Sequence, residues 1–184
     1  READENLRVR IALDNCTANV MVANNEYKII YMNGAVREMM RNAEAEIRQD
    51  LPGFDSAKLV GTSIDTFHKN PAHQRGMIET LTSAYETQIE VGGRTFDLIA
   101  SPVVDEEGSR LGTVVEWNDI TAKLAEQREI QRVADENLRV RIALDNCTAN
   151  VMVADNDYDI IYMNEAVVDM MRNAETQIRQ DLPG

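Results

Sequence analysis

The sequence is poor in the residues that support disulfide scaffolds, metal clusters and membrane spans. Its 184 residues include two cysteines, two histidines, one tryptophan and four prolines. Two cysteines cannot build a disulfide framework, so we interpret Cys16 and Cys147 as small, buried apolar side chains. No apolar run approaches the roughly 18 residues that a membrane-spanning helix needs. The composition therefore argues against a disulfide-stapled secreted fold and against a membrane span in this stretch.

Positive charge is also scarce. Lysine and arginine together number 19 against 32 acidic residues, which gives a net charge of −13. This excess of acid repels phosphate backbones and anionic lipid, so nucleic acid and membrane surfaces are poor partners. The chain begins at Arg1 and shows no signal peptide, which predicts a fragment of a larger cytoplasmic protein.

The first 53 residues recur near the end of the chain. Residues 1–53 and 132–184 differ at only nine positions. A repeat of domain size predicts tandem domains. We predict the following organisation: an N-terminal linker helix over 1–13, a complete domain over 14–121, a connector helix over 122–145, and the truncated first half of a second domain over 146–184.

The hydrophobic patterns predict an α+β fold. A strand over 18–23, a turn over 24–26 and a second strand over 27–32 predict a β-hairpin, and Asn33 is a favourable N-cap for a helix over 34–50. Alternating apolar and polar residues predict three more strands, which would complete a five-stranded antiparallel sheet with helices on one face. The remaining predicted elements are a helix over 71–83 and strands over 85–91, 94–104 and 110–118.

Both histidines lie in one short segment, Phe67–Arg75, which Pro71 interrupts. Two imidazoles on an irregular segment before a helix are candidates for a ligand site. Leu98 and Trp117 are candidates for its opposite wall. The alternatives are a loop histidine bonded to backbone for His68, a surface residue for His73 and an ordinary core aromatic for Trp117.

Three stretches carry a resemblance to a known family: LDNCTANVMVANNEYKIIYMN, FHKNPAHQR and GTVVEWNDIT. They resemble the PAS domains of soluble, Aer2-type methyl-accepting chemotaxis receptors over residues 10–121, and over 141–184 for the half copy. In that family the domains bind b-type haem and sense oxygen. The resemblance implies that His68 is the proximal ligand of the haem iron. It also implies that Trp117 donates a hydrogen bond to the bound gas and that Leu98 is the apolar distal residue.

In the resemblance, His73 lies in the same motif as His68 without being the usual ligand, so a ligand role for it stays open. Asp119 matches the position where the sheet meets the output helix. The methionines are better interpreted as core filler than as axial ligands. No Cys-x-x-Cys-His sequence is present, which excludes covalent attachment of haem.

We therefore predict a signal-transducing module that binds haem b and detects O2, with CO and NO as alternative gases. Its predicted partners are adjacent PAS or signalling domains and a second copy in a homodimer, which the half repeat could domain-swap. The apolar residues of the connector helix fit a heptad only loosely. This favours a solvated helix, which could pair with its counterpart in a dimer, over a strong coiled coil. The alternative function is a cofactor-free PAS module for dimerisation and relay. No nucleophile–base pair or metal cluster is visible, so an enzyme is not predicted.

Overall fold

The computed structural model describes residues 2–68 and 70–181. Arg1 of the predicted linker helix, Lys69 of the histidine segment and residues 182–184 of the second copy lie outside the described residues. The chain divides into two compact units, residues 1–124 and 125–184.

The first unit holds most of the regular structure. Its helices and strands are α1 (Glu2–Asp14), β1 (Asn19–Asn24), β2 (Ile29–Met32), α2 (Gly34–Asp50), α3 (Pro71–Glu79), β3 (Tyr85–Val91), β4 (Arg94–Val104) and β5 (Arg110–Asp119). Two short 3-10 helices, Ser56–Lys58 and Ile64–Phe67, lie between α2 and α3. The chain then continues through α4 (Thr121–Asp145) into β6 (Met152–Ala154), β7 (Ile160–Met163) and α5 (Glu165–Asp181).

The five strands of the first unit form one antiparallel sheet in the order β2-β1-β5-β4-β3. The N-terminal hairpin therefore lies beside the last strand, and Met21 pairs with Val115 across that boundary. Between β4 and β5, Leu98 pairs with Trp117. The predicted α+β fold with a five-stranded antiparallel sheet is confirmed.

The core forms where α2 packs on one face of this sheet. Four residues of α2 are buried, at spacings of four, three and four that place them on one helical face: Val36, Met40, Ala43 and Ile47. They join Met21, Ile29, Met32 and Phe96 in one apolar cluster. Phe96 is fully buried and brings β4 into the same core.

Asn33 is the N-cap of α2, which confirms the prediction, and its side chain makes further hydrogen bonds beyond the cap. Its Oδ1 accepts hydrogen bonds from the Val36 and Val20 amides, at 3.1 and 3.0 Å. Its Nδ2 donates to the carbonyls of Leu13 and Ala18, at 2.9 and 2.7 Å. The side chain is fully buried with all of these partners, so it joins α1, β1 and α2 at one point.

The turn between β3 and β4 lies against α2 through Gly92. The Gly92 amide donates to Asp50 Oδ2 at 2.7 Å, and its φ is +59°. A Cβ at this position would lie 1.9 Å from the carbonyl oxygen of Glu46, whereas a Cβ at Gly93 would meet open space. Both glycines have positive φ, but only Gly92 also requires the absence of a side chain.

Alanine at Gly92 is expected to destabilise the first unit more than alanine at Gly93. Gly93→Ala should cost about 1–2 kcal/mol for the left-handed conformation alone. Gly92→Ala adds displacement of α2, for a total of about 2–5 kcal/mol. Urea unfolding of both variants would measure the difference, and equal losses would contradict the close packing of this turn.

Two predicted boundaries were wrong. The helix after Pro71 ends at Glu79 rather than at residue 83. The Thr80 hydroxyl donates to the Met77 carbonyl at 3.1 Å, and the Leu81 amide bonds the Ile78 carbonyl instead of continuing the helical ladder to Met77. The second strand of the hairpin begins at Ile29 rather than at Tyr27. Tyr27 has a φ of 62° and belongs to the turn.

The second unit repeats the local structure of the first hairpin without its core. The pairs Met152–Met163 and Ala154–Ile160 reproduce Met21–Met32 and Ala23–Ile29, including the register shift. Ile160 is 56% exposed, although its counterpart Ile29 is 1% exposed. In residues 125–181, as described, no further strand pairs with β6 or β7. Local sequence therefore forms the hairpin, and burial depends on the strands that follow.

Candidate functional site

The 3-10 helix Ile64–Phe67 is fixed to the hairpin by backbone hydrogen bonds. The Ile64 amide donates to the Tyr27 carbonyl at 2.9 Å, and Ser63 forms a β-bridge with Lys28. The Ser63 hydroxyl accepts from the Asp65 amide at 3.3 Å and caps the 3-10 helix. The helix ends at His68, so the hydrogen bonds that anchor the helix also hold the backbone of His68 in place.

The His68 ring has a defined orientation. Its Nδ1 lies 2.7 Å from the Ile64 carbonyl oxygen. A carbonyl can only accept, so Nδ1 carries the hydrogen, and Nε2 of the neutral ring keeps its lone pair. The side chain is half-buried. An imidazole whose second nitrogen bonds a backbone carbonyl is the usual arrangement of a metal-ligating histidine.

Charged and aromatic groups tie α3 to the same support. Arg75 forms an ion pair with Asp65, and its guanidinium lies 5.1 Å from the centre of the Tyr27 ring. The hydrogen bond from Arg75 lowers the pKa of Asp65. The Tyr27 hydroxyl donates to Glu79, and this bond raises the pKa of Tyr27. Because these side chains are exposed, their contacts fix the orientation of α3 but do not bury the helix.

The inward face of α3 is only partly covered. Pro71, Gln74, Met77 and Ile78 are partly buried, and none of the nine residues of α3 is fully buried. Gln74 Oε1 is nevertheless shielded from solvent and lacks a hydrogen-bond partner among the described residues. Gln74 was not among the residues predicted from the sequence. It could have been noticed as a polar residue at a position where the helical spacing of α3 favours an apolar one.

Trp117 and Leu98, the residues predicted for the opposite wall, are neighbours in the sheet. They are paired across β4 and β5, and both pack against the core cluster. The Trp117 ring meets Phe96 edge-on, with ring centres 5.8 Å apart. Trp117 Nε1 is buried and has no hydrogen-bond partner among the described residues. An indole N–H can only donate, and leaving it unpaired costs about 1–3 kcal/mol.

The predicted site residues therefore separate into two groups. Leu98 and Trp117 lie together on the sheet, whereas the side-chain hydrogen bond of His68 goes to its own 3-10 helix. His73 is exposed on α3, as the surface-residue alternative requires.

A cavity of about 570 Å³ lies beside β4 and β5. Leu98 and Trp117 contribute to its lining, but Asp97, Ile99 and Glu116 alternate with them along the strands. Alternate strand residues point to opposite faces of a sheet. None of the lining residues comes from the segment that carries His68. This cavity is therefore not the predicted ligand cleft.

The end of β5 is held by a polar junction. Asp119 accepts from the Thr121 amide at 3.0 Å and forms an ion pair with Arg94 at 2.7 Å. The Thr121 hydroxyl in turn accepts from the Thr95 amide at 3.0 Å. Burial alone would raise the pKa of Asp119, but Thr121 and Arg94 outweigh it, and the net pKa is lowered. The first residues of α4 are thereby fixed to the start of β4.

Arg94 also links this junction to α2. Its guanidinium contacts Glu46 at 2.8 Å, and Arg94 Nε is buried without a partner among the described residues. The second copy has Gln177 in place of Glu46. Our sequence analysis missed Arg94 and Glu46, although position 46 is one of the few at which the copies differ.

Asparagine at position 119 is expected to destabilise the first unit in a pH-dependent manner. Because the folded pKa of Asp119 lies below its ordinary value of 3.8, its contribution is complete above that value and is lost as the pH falls through the folded pKa. Asp119→Asn should cost about 1–3 kcal/mol at pH 6. Thermal unfolding of both proteins between pH 6 and 3 should show the difference shrinking with acid.

Glu46→Gln is the matched control for this junction, because it introduces the residue of the second copy. Glu46 is more exposed than Asp119, so its loss should cost less than the loss of Asp119. A wild-type to Asp119→Asn difference that stayed constant down to pH 3 would contradict the assigned ion pair.

Two features are absent from the described ranges. No helix in the described ranges is long and apolar enough to cross a membrane. Within the same ranges, no group of three or more His, Cys, Asp or Glu side chains could hold a metal ion.

Comparison with known proteins agrees with the geometry. The sequence profile of the PAS domain family matches residues 7–71 and 138–184. The chain is 46% identical over 128 residues to methyl-accepting chemotaxis protein McpB of Pseudomonas aeruginosa, covering 70% of this chain and 19% of that protein. The chain thus spans a minor part of the length of that relative.

Solved structures show the same fold. The Aer2 receptor from Vibrio cholerae, described as a dual PAS-haem oxygen sensor, matches with a TM-score of 0.54 at 40% identity, over 57% of this chain and 96% of that chain. An RNA-binding light-oxygen-voltage receptor matches with a TM-score of 0.50 at 15% identity, over 76% of this chain and 39% of that chain. The second likeness supports the fold alone. The profile covers more than half of the chain, which therefore belongs to the PAS domain family.

Proposed function

We propose that the first unit is a haem-binding sensor module of a chemotaxis receptor and that it detects O2, with CO and NO as alternative gases. The observation that carries this proposal is the buried Trp117 N–H, which has no partner among the described residues. An unpaired donor on an apolar wall is costly unless a ligand uses it. The likeness to the Vibrio cholerae oxygen sensor gives the chemical class of that ligand.

Haem b would supply an iron that can bind a histidine of the protein and a diatomic gas. His68 is the residue proposed to hold it. Nε2 of its neutral ring is available, and the bond from Nδ1 to the Ile64 carbonyl fixes the tautomer and the ring orientation. The anchored 3-10 helix supports this role, since a metal ligand must be held in place.

Trp117 and Leu98 are proposed to form the distal wall. Leu98 keeps this wall apolar and excludes water, while the Trp117 N–H offers one directed hydrogen bond. Donors and polarity on the distal side decide whether O2 is held. Because Phe96 contacts the Trp117 ring edge-on, movement of the indole toward a ligand would change the packing of the core.

A movement of Trp117 could be transmitted to α4 through the end of β5. Trp117 stands two residues before Asp119, whose contacts with Arg94 and Thr121 connect β5 to the start of α4. A ligand can shift this equilibrium only if it binds the two states of the junction unequally. The proposed signal is a change in these contacts that biases α4 and the domains that follow it.

The alternative function is a cofactor-free PAS module that serves dimerisation and relay. A hydrogen bond from His68 to its own helix is also what an ordinary loop histidine would make, so this alternative retains a structural basis. Under either function we propose a non-enzymatic, cytoplasmic module whose partners are a second copy of the chain and neighbouring PAS or signalling domains.

The test is an absorption spectrum of the purified protein after addition of haemin, followed by dithionite, CO and air in turn. A Soret band that shifts with each gas is expected. A folded sample that gives no band after reconstitution would overturn the haem proposal and favour the relay module.

A further inference from the structure

The side chain of Asn19 bonds the backbone of Trp117 on the neighbouring strand. Its Nδ2 donates to the Trp117 carbonyl at 2.9 Å, although the two residues are 98 positions apart in the chain. They are direct partners in the ladder between β1 and β5, so their side chains lie on the same face of the sheet. Asn19 shares this face with Met21, which is buried in the core. Asparagine is depleted in strands, so an amide at this place indicates a specific role.

We propose that Asn19 is a positioning residue for Trp117, because it fixes the backbone that carries the indole and thereby the place where the N–H is held. This inference rests on the proposed function, in which that N–H donates to the bound gas. The strength of a hydrogen bond depends steeply on the distance and direction of its donor. A small shift of β5 would therefore weaken the bond to the gas without removing the tryptophan.

Asn19 is itself held on both sides. The Asn33 side chain donates to the Ala18 carbonyl at 2.7 Å and accepts from the Val20 amide at 3.0 Å. Ala18 and Val20 are the residues immediately before and after Asn19. Because Asn33 is fully buried and caps α2, it fixes the start of β1 relative to that helix. The Asn19 amide therefore connects Trp117 to a fixed point of the fold.

The indole has few other contacts that would set the direction of its N–H. The ring meets Phe96 edge-on, with ring centres 5.8 Å apart. Its Nε1 has no hydrogen-bond partner among the described residues. The direction of the N–H before a ligand arrives is therefore set by ring packing and by the backbone of Trp117. Asn19 acts on the second of these.

The second copy shows the same asparagine without the strand that it bonds in the first unit. Asn150 occupies the equivalent position, and Asn164 bonds the residues on either side of it as Asn33 does. In the described part of the second unit, β6 pairs only with β7, and the Asn150 amide donates to Met170 Sδ at 3.1 Å instead. The hairpin therefore forms without this cross-strand bond, and the bond of Asn19 is a feature of the completed sheet.

Fluorescence of the haem-free protein tests the inference without the cofactor. Trp117 is the only tryptophan of the chain, so emission and acrylamide quenching report on its indole alone. We expect Asn19→Ala to shift the emission to longer wavelength and to raise the quenching constant, because the end of β5 is released from β1. Asn150→Ala is the matched control, since it removes the same side chain from the second copy and should change neither quantity.

A second variant separates the donor from the shape of the side chain. Asn19→Asp keeps the size of the side chain, but at neutral pH its carboxylate cannot donate to the Trp117 carbonyl. It should therefore reproduce the change in emission and quenching that alanine causes. Far-UV circular dichroism should be the same for the wild type and for all three variants, which would show that the sheet remains folded.

Gas kinetics of the reconstituted protein test the consequence for the ligand. We expect Asn19→Ala to accelerate O2 dissociation about three- to tenfold, since misplacement of a group by a fraction of an ångström is less costly than its loss. CO dissociation should change much less. Because Asn19 is proposed to act through Trp117, adding Asn19→Ala to Trp117→Leu should cause no further acceleration.

The outcomes distinguish this inference from the proposed function. If the folded protein binds no haem, the proposed function fails, but a change in Trp117 emission in the two Asn19 variants alone would still support the positioning role. Unchanged emission and quenching in both Asn19 variants would overturn the inference whatever the haem result. Equal acceleration by Asn19→Ala in the wild-type and Trp117→Leu backgrounds would also overturn it, because Asn19 would then act on the domain as a whole.

Discussion

Alanine at position 68 is expected to abolish the Soret band of the reconstituted protein, whereas alanine at position 73 should retain it. His68 offers Nε2 from a ring oriented by the Ile64 carbonyl. His73 is exposed on α3, where no comparable hydrogen bond orients its ring among the described residues. Loss of the proximal ligand removes the bond that holds the iron, so haem should remain only as loosely associated pigment. Absorption spectra after gel filtration would measure the retained haem.

Two controls separate ligation from folding in this experiment. Far-UV circular dichroism should be the same for both variants, because neither histidine contributes to the buried core. Free imidazole should restore part of the Soret band to His68→Ala if the mutation leaves a cavity where the ring stood. A band that survives in His68→Ala and disappears in His73→Ala would reverse the assignment of the ligand.

The parts of the fold that sequence predicted correctly depend on local signals. Asn33 was predicted as a cap because its side chain bonds an amide three residues away, and the structure shows that bond. Alternation predicted the strand over 94–104, in which Phe96 and Leu98 both contact the core side. The period of two along a strand is a local property, so it needs no knowledge of the partner strands.

The features that sequence analysis missed join residues far apart in the chain. Arg94 and Glu46 are 48 positions apart, and nothing in either neighbourhood identifies the other. Gln74 is shielded by the way α3 lies over the domain, which the helical spacing of α3 alone does not determine. The end of α3 at Glu79 reflects the hydroxyl of Thr80, whose competition with the helix is weak and depends on context.

The half copy shows the same division between local and long-range structure within one chain. Asn164 reproduces the cap of Asn33, with bonds from the Val167 and Val151 amides at 3.1 and 3.0 Å. The exposed Ile160 of β7 shows what is missing: the apolar face that β3, β4 and β5 supply in the first unit. A sequence can therefore specify hairpin register and helix caps in a segment whose core is incomplete.

Leucine at position 117 is expected to accelerate O2 dissociation from the reconstituted protein, while CO dissociation changes much less. Trp117 is the proposed donor to the bound gas, and its Nε1 is buried with no partner among the described residues. A hydrogen bond to a charged or strongly polarised acceptor contributes about 1.5–3 kcal/mol. Its loss corresponds to roughly 10- to 150-fold. Stopped-flow or flash photolysis would measure both rates.

The contrast between the two gases makes this prediction specific to the N–H group. O2 would accept a hydrogen bond well and CO would accept one poorly, so loss of the N–H alone would affect mainly O2. A general disruption of the wall would change both rates alike. Trp117→Phe keeps an aromatic ring against Phe96, and comparing it with Trp117→Leu measures how much of the effect comes from packing. If Trp117→Leu held O2 as tightly as the wild type, the indole would be an ordinary core residue. The signal would then have to leave the cleft through Leu98 or α3 instead of through the strand that ends at Asp119.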